Sequence, residues 1–406
     1  MSGWSVVRLR EVADIAAGFT LGRKTKEAEL IEVPYLRVAN VQDGRLALSD
    51  VKTVAATRAE IEKWTLRDGD LMLTEGGDLD KLGRGACWRE QLPVCIHQNH
   101  IFRVRLPSDL YDTDFVSLQV GSSYGKAYFL AHAKKTTGIA SINQQVLGSF
   151  PLLSPHLTEQ RQIAARLKAQ LAEVEKARQA AQAQLRDIRL LRSRMLKEFF
   201  SELDAVPTKK LGDFARTTSG STPSRGDKRY WKPVEIAWVK TGEVAFTPIT
   251  ATEEGISKVA LAECSLSLLP PKTILIAMYG QGKTRGQSAV LEIPATTNQA
   301  CFAILPNETW EPDFLHLWLK SSYQDLRDLS ENRGGNQANL NGALLSALEI
   351  PAPDRNQQQQ IVARIQSAMT EIDAIENSSK ASLEDINRLP GRVLAQAFET
   401  QGHHHD

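Results

Sequence analysis

The chain has 406 residues, and its 42% hydrophobic and 24% charged residues are typical of a globular protein with two or three domains, not of a disordered one. Its 49 basic and 48 acidic residues give a net charge of +1, which excludes a protein that coats nucleic acid by charge alone. No apolar run is long enough for a membrane span, no secretory signal is present and the four cysteines are widely spaced, so we expect a cytoplasmic protein without a membrane partner.

The sequence contains an internal repeat with a period near 200 residues. Residues 185–200 align with residues 383–398, and 7 of the 16 positions coincide. The same displacement of 198 residues pairs Gln160-Arg-Gln-Ile163 with Gln358-Gln-Gln-Ile361. A period this long predicts a duplicated module, a globular part followed by a long helix, rather than a solenoid. The helical parts repeat closely and the globular parts loosely, so we predict a fixed scaffold that carries two diverged surfaces.

The predicted fold class is α+β, with two mixed α/β domains separated by two long helices that pair as an antiparallel coiled coil. In chain order we expect a first globular domain, a central helix, a second globular domain, a distal helix and a tag-like tail, at residues 1–153, 154–203, 204–351, 352–400 and 401–406. Short apolar strands and one following helix are predicted in each domain. The strands are expected at 70–74, 100–105, 273–277 and 300–304, and the helices near 114–120 and 312–320.

Both long helices carry apolar residues at alternating steps of three and four. This heptad pattern predicts helix–helix pairing, with two ordinary core helices as the alternative. Arg178, Arg192, Ser379 and Ser382 fall in the pattern and would fix the register, and Pro390 is expected to kink or restart the distal helix. The main apolar residues of the pattern are Leu167, Leu171, Val174, Leu185, Ile188, Ile365, Ile372 and Ile386.

Catalytic motifs are poorly matched. The stretch Met278-Tyr-Gly-Gln-Gly-Lys-Thr284 is similar to a phosphate-binding loop, but Ala277 stands where that loop requires its first glycine and a strand-like segment follows. The pair His97 and His100 lacks a third metal ligand. We therefore expect no enzyme, although a nucleotide-dependent enzyme that uses Gly280–Thr284 remains an alternative. ATP binding that is lost on Lys283→Ala would favour it.

Several loops mix basic residues, amides and glycines. Arg and Lys neutralise phosphates, Arg also binds guanine through two hydrogen bonds, and Asn and Gln can do the same with adenine. As a set, repeated in both halves, the loops indicate DNA binding, although a solvated polar loop remains the alternative for any single residue. A stand-alone sequence-specific DNA-binding regulator is therefore the second reading, and strong DNA affinity without partner proteins would favour it.

The chain resembles a specificity subunit of a type I restriction–modification system over nearly all of residues 1–400. The motifs that carry the resemblance are Gly220-Ser-Thr-Pro-Ser-Arg225, Ile236-Ala-Trp-Val-Lys-Thr-Gly-Glu243, Gly280-Gln-Gly-Lys-Thr-Arg-Gly286, Thr297-Asn-Gln-Ala300, Gly335-Asn-Gln-Ala-Asn-Leu-Asn341 and the two helix starts at Gln160 and Gln358. The first half departs from this pattern at Gly18–Arg23 and Tyr35–Asn40. It is similar to another class of such domains at Thr74-Glu-Gly-Gly-Asp78 and His97-Gln-Asn-His100.

The resemblance implies that each domain reads one half of a bipartite, asymmetric site in double-stranded DNA. The paired helices would set the spacing and dock two methyltransferase subunits, with the apolar residues of the heptad pattern as partner-binding candidates. Restriction subunits are a further expected partner. The resemblance implies no cofactor in this chain, since S-adenosylmethionine, ATP and Mg²⁺ would be bound by the partner subunits, where methyl transfer to adenine N6 and restriction would occur.

Residues at equivalent loop positions of the two halves are the candidate DNA contacts. The basic candidates are Arg23, Lys26, Arg37, Arg84, Arg225, Lys228, Lys240 and Arg285, and the candidate adenine-edge readers are Asn143 and Asn339.

Overall fold

The computed structural model describes residues 4–22, 29–77, 82–136, 139–280, 282–331 and 339–402. The chain forms two compact units, one from the residues up to 182 together with those from 381 onward, the other from residues 183–380. Each unit therefore contains one globular domain and a segment of each long helix.

The elements of the first globular domain alternate short strands with short helices and end at the first long helix. The strands are β1 (Ser5–Arg8), β2 (Asp14–Ala17), β3 (Ile31–Leu36), β4 (Val41–Gln42), β5 (Arg45–Leu46), β6 (Lys52–Ala56), β7 (Leu71–Thr74), β8 (Gly76–Gly77), β9 (Gly85–Cys87), β10 (Ile96–His97), β11 (Ile101–Arg105), β12 (Lys134–Thr136), β13 (Ile139–Ser141) and β14 (Pro151–Ser154). The helices are α1 (Leu9–Val12), α2 (Arg58–Trp64), α3 (Thr113–Gly121), α4 (Ser123–His132), α5 (Gln144–Gly148) and the long α6 (Leu157–Ser201), with a 3₁₀ turn at Val38–Asn40.

The second globular domain repeats this order. Its strands are β15 (Thr208–Lys210), β16 (Thr217–Ser219), β17 (Ile236–Val239), β18 (Glu254–Ile256), β19 (Ile274–Ala277), β20 (Ser288–Val290), β21 (Ala295–Thr297), β22 (Cys301–Ile304) and β23 (Glu349–Pro351). Its helices are α7 (Leu211–Phe214), α8 (Lys258–Glu263), α9 (Pro312–Ser321), α10 (Tyr323–Glu331), α11 (Gly342–Ser346) and the long α12 (Arg355–Gly402), with 3₁₀ turns at Lys228–Tyr230 and Thr241–Glu243.

The two domains share one sheet topology. A four-stranded antiparallel sheet has the order β2-β11-β7-β9 in the first domain and β16-β22-β19-β20 in the second. A three-stranded sheet is built around β3 or β17, which pairs parallel with β10 or β21 and antiparallel with β6 or β18. The strands β1 and β14, like β15 and β23, close each domain by antiparallel pairing. The predicted duplication is therefore confirmed at the level of strand order.

The predicted strands and helices of the globular domains are confirmed within one or two residues. The regions expected near 70–74 and 273–277 form β7 and β19, and those near 114–120 and 312–320 form α3 and α9. Both central strands of the four-stranded sheets, β7 and β19, are buried along their whole length, which explains their continuous apolar sequence. The helices α4, α5, α10 and α11 were not predicted.

A buried glutamine fastens each long helix to its globular domain. Gln160 accepts a hydrogen bond from the Asp112 backbone N–H (3.0 Å) and donates to the Leu110 and Pro155 carbonyls (3.2 and 2.8 Å). Gln358 repeats the arrangement, accepting from the Glu311 N–H (2.8 Å) and donating to two carbonyls at 2.8 Å. The two side chains are 1% and 0% exposed, so these bonds satisfy polar groups that water does not reach.

Segments of the two long helices pair within each unit, and each completes a domain core. In the first unit, Phe398 near the end of α12 is buried against Phe115 of α3, with ring centroids 5.5 Å apart. In the second unit, Phe200 near the end of α6 contacts Phe314 of α9 at the same 5.5 Å. The end of each helix thus meets the start of the other, which is the predicted antiparallel pairing.

Ion pairs link the two helix segments of the second unit. Arg192 of α6 donates to Asp373 of α12 and to Glu376 (3.3 Å), and Arg364 contacts Glu202 (3.2 Å). Arg192, expected in the seam, therefore bonds across the pair, whereas Arg178 pairs with Glu175 of its own helix at 2.6 Å. No break occurs at Pro390, because α12 continues through it to Gly402, so the predicted restart is wrong.

The apolar residues of the heptad pattern are mostly used inside the chain. Leu167 and Ile365 are 1% and 0% exposed and belong to the domain cores. Leu185, Ile188 and Ile372 are also buried. These five cannot serve as a surface for a second protein without opening the fold, so their assignment as partner-binding residues is corrected. Leu171, Val174 and Ile386 are half-buried, and for them partner binding stays a prediction. No helix of the described residues is long and apolar enough to span a membrane.

The glutamine bonds predict a matched pair of destabilised variants. Gln160→Ala or Gln358→Ala leaves one buried N–H and two carbonyls without a partner, so we expect each to lower the free energy of unfolding by about 2 kcal/mol or more. Gln360→Ala, at an exposed position of α12, is the control and should change it by less than about 0.5 kcal/mol. Denaturant unfolding of the full chain measures all three, and equal effects of the buried and exposed substitutions would contradict this role.

Candidate nucleic-acid interface

In both domains the central strand of the three-stranded sheet ends at a basic residue. Arg37 follows β3 and its N–H donates to Asn40 Oδ1 (2.8 Å), which starts a 3₁₀ turn. Lys240 follows β17 and its N–H donates to Glu243 Oε2 (2.7 Å) at the start of the corresponding turn. The predicted equivalence of Arg37 and Lys240 is therefore confirmed by their geometry.

Each of these basic residues is paired with a carboxylate that lies 13 residues further along the chain. The Arg37 guanidinium contacts Asp50 at 2.9 Å, and the Lys240 ammonium contacts Glu253 at 2.6 Å. Hydrogen bonds from Lys52 and Arg37 lower the pKa of Asp50, and those to Glu253 and Glu254 raise the pKa of Lys240. The carboxylates were absent from the predicted site, although their spacing of 203 residues equals that of the two basic residues.

Arg225 joins the same cluster in the second domain. Its guanidinium carbon lies 3.9 Å above the Trp231 ring and 5.1 Å from that of Trp238, and the group is bonded to Glu254. Glu254 also contacts Lys240 at 3.2 Å, so the structure brings the two predicted basic residues together through one carboxylate. An open cavity of about 540 Å³ adjoins this cluster. Cation–π contact and the ion pair fix a side chain that remains 55% exposed.

The motif loops lie against one another in both domains. Gly18 and Gly220 approach the facing backbone so closely that a Cβ would lie 2.1 Å from the His97 carbonyl and 1.8 Å from that of Thr297. Only glycine fits such an approach. The loop before β3 is thereby placed beside residues 97–100, and the loop before β17 beside residues 297–300. Gln299, which accepts a hydrogen bond from Thr222 (2.5 Å), is an exposed amide that the list of candidates missed.

Arg84 and Arg285 are not structural equivalents. The Arg84 carbonyl accepts from the Thr74 N–H, and the corresponding bond in the second domain, from the Ala277 N–H, goes to Gln287. The offset is therefore 203 rather than 201 residues. Arg84 donates to Gln42 (2.8 Å) at the β4–β5 hairpin. Arg285 is only 8% exposed, so its assignment as a DNA contact is corrected: its side chain is enclosed by protein.

The predicted pairing of Asn143 with Asn339 is also shifted. Asn143 caps α5 by accepting a hydrogen bond from the Val146 N–H (2.8 Å), and Asn341 caps α11 by accepting from the Leu344 N–H (2.9 Å). An asparagine that reads adenine needs its Oδ1 as an acceptor for the base. Because that oxygen is used in the cap, Asn143 is corrected from an adenine reader to a structural residue. Asn339 is exposed and stays a prediction.

The remaining basic candidates are less defined. Lys228 is exposed in the 3₁₀ turn that precedes Trp231, a position compatible with a phosphate contact. Arg23 and Lys26 lie outside the described residues.

The rejected catalytic motifs have structural roles. Lys283 and Thr284 lie in the loop between the antiparallel strands β19 and β20, not at the start of a helix. Tyr323 donates to the Lys283 carbonyl (2.6 Å) and holds this loop. His97 is fully buried, whereas His100 is exposed and contacts Glu75 at 2.6 Å, so the two imidazoles do not converge. Among the described residues, no three His, Cys, Asp or Glu side chains are grouped as a metal site would require.

Comparison with known proteins identifies the family. Residues 1–183 and 204–385 match the model of the type I restriction modification DNA specificity domain. The chain belongs to this family. The resemblance stated from the sequence motifs is thus confirmed.

Two relatives and two solved structures illustrate the match. The EcoR124I/EcoR124II specificity subunit of Escherichia coli is 27% identical over 43% of this chain, and the MjaIX specificity subunit of Methanocaldococcus jannaschii is 33% identical over 47%. The matched region spans 42% of the length of each relative. The HsdS subunit from Thermoanaerobacter tengcongensis has the same fold (TM-score 0.60, 18% identity, 98% of this chain and 97% of that one). A chain from a study of the assembly and conformational transition of the type I R-M system has it too (TM-score 0.72, 17% identity, 98% of both chains).

The cap geometry predicts how Asn143 responds to substitution. Asn143→Ser keeps a good capping oxygen and should leave the free energy of unfolding nearly unchanged, whereas Asn143→Ala should lower it by about 1 kcal/mol. Denaturant unfolding of both variants tests the cap. Any DNA sequence preference should survive in Asn143→Ser. Its loss in that stable variant would restore Asn143 as a base reader.

The buried imidazole of His97 predicts a pH dependence in the first domain. Burial lowers the pKa of His97 to about 4, so the native state stays neutral where the unfolded chain, with a pKa near 6.5, takes up a proton. The free energy of unfolding should therefore fall by about 1.4 kcal/mol per pH unit for this group as the pH drops from 6.5 to 4. Burial also lowers the pKa of His316 to about 4, so the second domain should lose stability over the same range.

His97→Phe is the test of this dependence. Phenylalanine cannot titrate and keeps a ring against Trp64, which lies 6.1 Å away. Urea unfolding at pH 7 and pH 5 should show a smaller loss of stability in the variant than in the wild-type chain. An unchanged loss would mean that His97 does not titrate differently in the two states.

Proposed function

We propose that this chain is the DNA sequence-specificity subunit of a type I restriction–modification complex, in which each globular domain reads one half of a bipartite site. The observation that carries the proposal is the duplication of one domain topology with different side chains at the same loop positions. Membership of the specificity-domain family supports it, as do the printed names of the relatives, which are specificity subunits.

The two loop clusters favour an asymmetric target. The second domain presents Arg225 stacked on Trp231 beside Lys240, whereas the first presents Arg37 beside a hairpin that is bonded to Arg84. Arg and amide side chains read base edges in the major groove through specific hydrogen-bond patterns. Two domains with the same fold and different donors and acceptors therefore read different bases.

The long helices are proposed to set the distance between the half-sites and to carry partner subunits. The helices have 45 and 48 residues, so they extend for about 70 Å at 1.5 Å per residue. The half-sites of such a site, about one DNA turn apart, are separated by roughly 34 Å. Their exposed faces, not the buried heptad residues, would bind the two methyltransferase subunits.

Catalysis is proposed to reside in the partners. A target adenine must leave the base stack to be methylated at N6 and must enter an enclosed pocket. The proposal places that pocket and S-adenosylmethionine in the methyltransferase subunits, and ATP and Mg²⁺ in restriction subunits. The net charge of +1 favours a chain that binds DNA firmly only when partners contribute further phosphate contacts.

Reconstitution with the methyltransferase encoded beside this gene tests the proposal. Sequencing of modified adenines should give a bipartite, asymmetric motif that appears only when this chain is present. Exchange of residues 1–153 for those of another family member, with α6 and α12 retained, should change one half-site and leave the other. This outcome follows because the loops of the two domains are separate sets of side chains.

The control is a chain with Lys258→Ala, which removes an exposed ammonium on α8 that contacts Glu235 at 3.2 Å. Its methylation motif should equal that of the wild type. If the chain forms no complex with the methyltransferase and methylation ignores it, the proposal fails, and a stand-alone DNA-binding regulator becomes the better reading.

A further inference from the structure

Both globular domains neutralise their own candidate phosphate contacts. In the first, Asp50 contacts Arg37 and Lys52, each at 2.9 Å. In the second, Glu253 and Glu254 contact Lys240 at 2.6 and 3.2 Å, and Glu254 also binds Arg225. Four cations near the candidate interface are thus bound to carboxylates in the free chain.

The carboxylates occupy the same place in the two domains. Asp50 lies just before β6 and Glu253 just before β18, and each of these strands runs antiparallel to the strand whose end bears the basic residue. The backbone holds them there: Asn40 donates to the Asp50 carbonyl (3.0 Å), and the Glu253 N–H donates to Glu243 (2.9 Å). An arrangement found in two domains with otherwise different loops is not an accident of one surface.

We infer that Asp50 in the first domain, and Glu253 with Glu254 in the second, are specificity-determining residues that compete with DNA phosphates for these four cations. The inference rests on the proposed function. The carboxylates act through the basic side chains and are positioning residues, since they hold the cations in place until a well-seated duplex replaces them.

The physical reason lies in what non-specific DNA offers. Non-specific affinity comes almost entirely from cations that release counterions from the phosphates. A cation already paired with a carboxylate releases fewer, so a loosely seated duplex gains little from it. The pairs are exposed, with Asp50 64% and Glu253 71% accessible, so each is weak enough for exchange. A duplex seated by base contacts as well can make that exchange, and discrimination increases.

The test measures the salt dependence of binding to a synthetic duplex without the target motif. The variants are Asp50→Asn, which frees Arg37 and Lys52, and the double variant Glu253→Gln/Glu254→Gln, which frees Lys240 and Arg225. The full chain in complex with its methyltransferase is used, and fluorescence anisotropy gives the affinity at a series of salt concentrations. Non-specific binding should strengthen, and the slope of log affinity against log salt should steepen by about 0.9 for each cation that is freed.

The matched control is Glu292→Gln. It removes the same charge and frees Lys272, which contacts Glu292 at 2.7 Å. Glu292 precedes β21, whereas Lys240 follows the strand paired parallel to β21, so the control pair lies at the opposite end of that strand. Its slope should equal that of the wild type. Asp50→Glu, which restores a carboxylate, should also return the wild-type slope.

The outcomes separate the inference from the proposed function. If the wild-type complex binds duplex DNA and the variants fold but show the control's slope, the carboxylates do not restrain non-specific binding and the inference fails. If the variants lower affinity for target and non-target DNA alike, the carboxylates are only structural, and it fails as well. If the wild-type complex binds no DNA, the proposed function itself fails. With the target known, the variants should also show a reduced ratio of target to non-target affinity.

Discussion

The hydrogen bonds of a buried glutamine at the first turn of each long helix determine how that helix leaves its domain. Gln160 and Gln358 use both ends of the amide on backbone groups just before α3 and α9. A buried peptide group left without a partner costs about 1–3 kcal/mol, which is large beside the net stability of a domain. Any other direction of the helix would break three such bonds at once. The attachment is therefore the same in both halves, however much the loops differ.

The interface loops vary under a looser constraint. Position 37 or 240 needs only a cation at the end of a central strand, and position 50 or 253 only a carboxylate within reach of it. Arg with Asp and Lys with Glu both satisfy that geometry while presenting different donors to DNA. The asparagine caps at Asn143 and Asn341 show the opposite case, because a cap fixes the residue type by its hydrogen bond. Surface charge pairs can therefore diverge where caps and buried amides cannot.

The sequence predicts the scaffold better than the site for the same reason. Heptad spacing, continuous apolar strands and the Gln160/Gln358 repeat each reflect burial, so the fold class, the long helices and strands such as β7 and β19 follow from it. The loop register does not, because insertions leave no apolar pattern to align. Arg285 was therefore matched to Arg84 instead of Gln287, and Asn339 to Asn143 instead of Asn341. Asp50 and Glu253 were missed because exposed carboxylates carry no periodic signal.

The helices repeat more closely than the domains because each helix serves two cores. The start of α6 packs into the first domain through Leu167, while its end supplies Phe200 to the core of the second. The start of α12 packs into the second domain through Ile365, and its end supplies Phe398 to the first. Each aromatic ring must fit a core built by the other repeat, at the same 5.5 Å from Phe314 or Phe115. A change at one helix end therefore destabilises a distant domain, whereas a change in an interface loop alters only what that domain contacts.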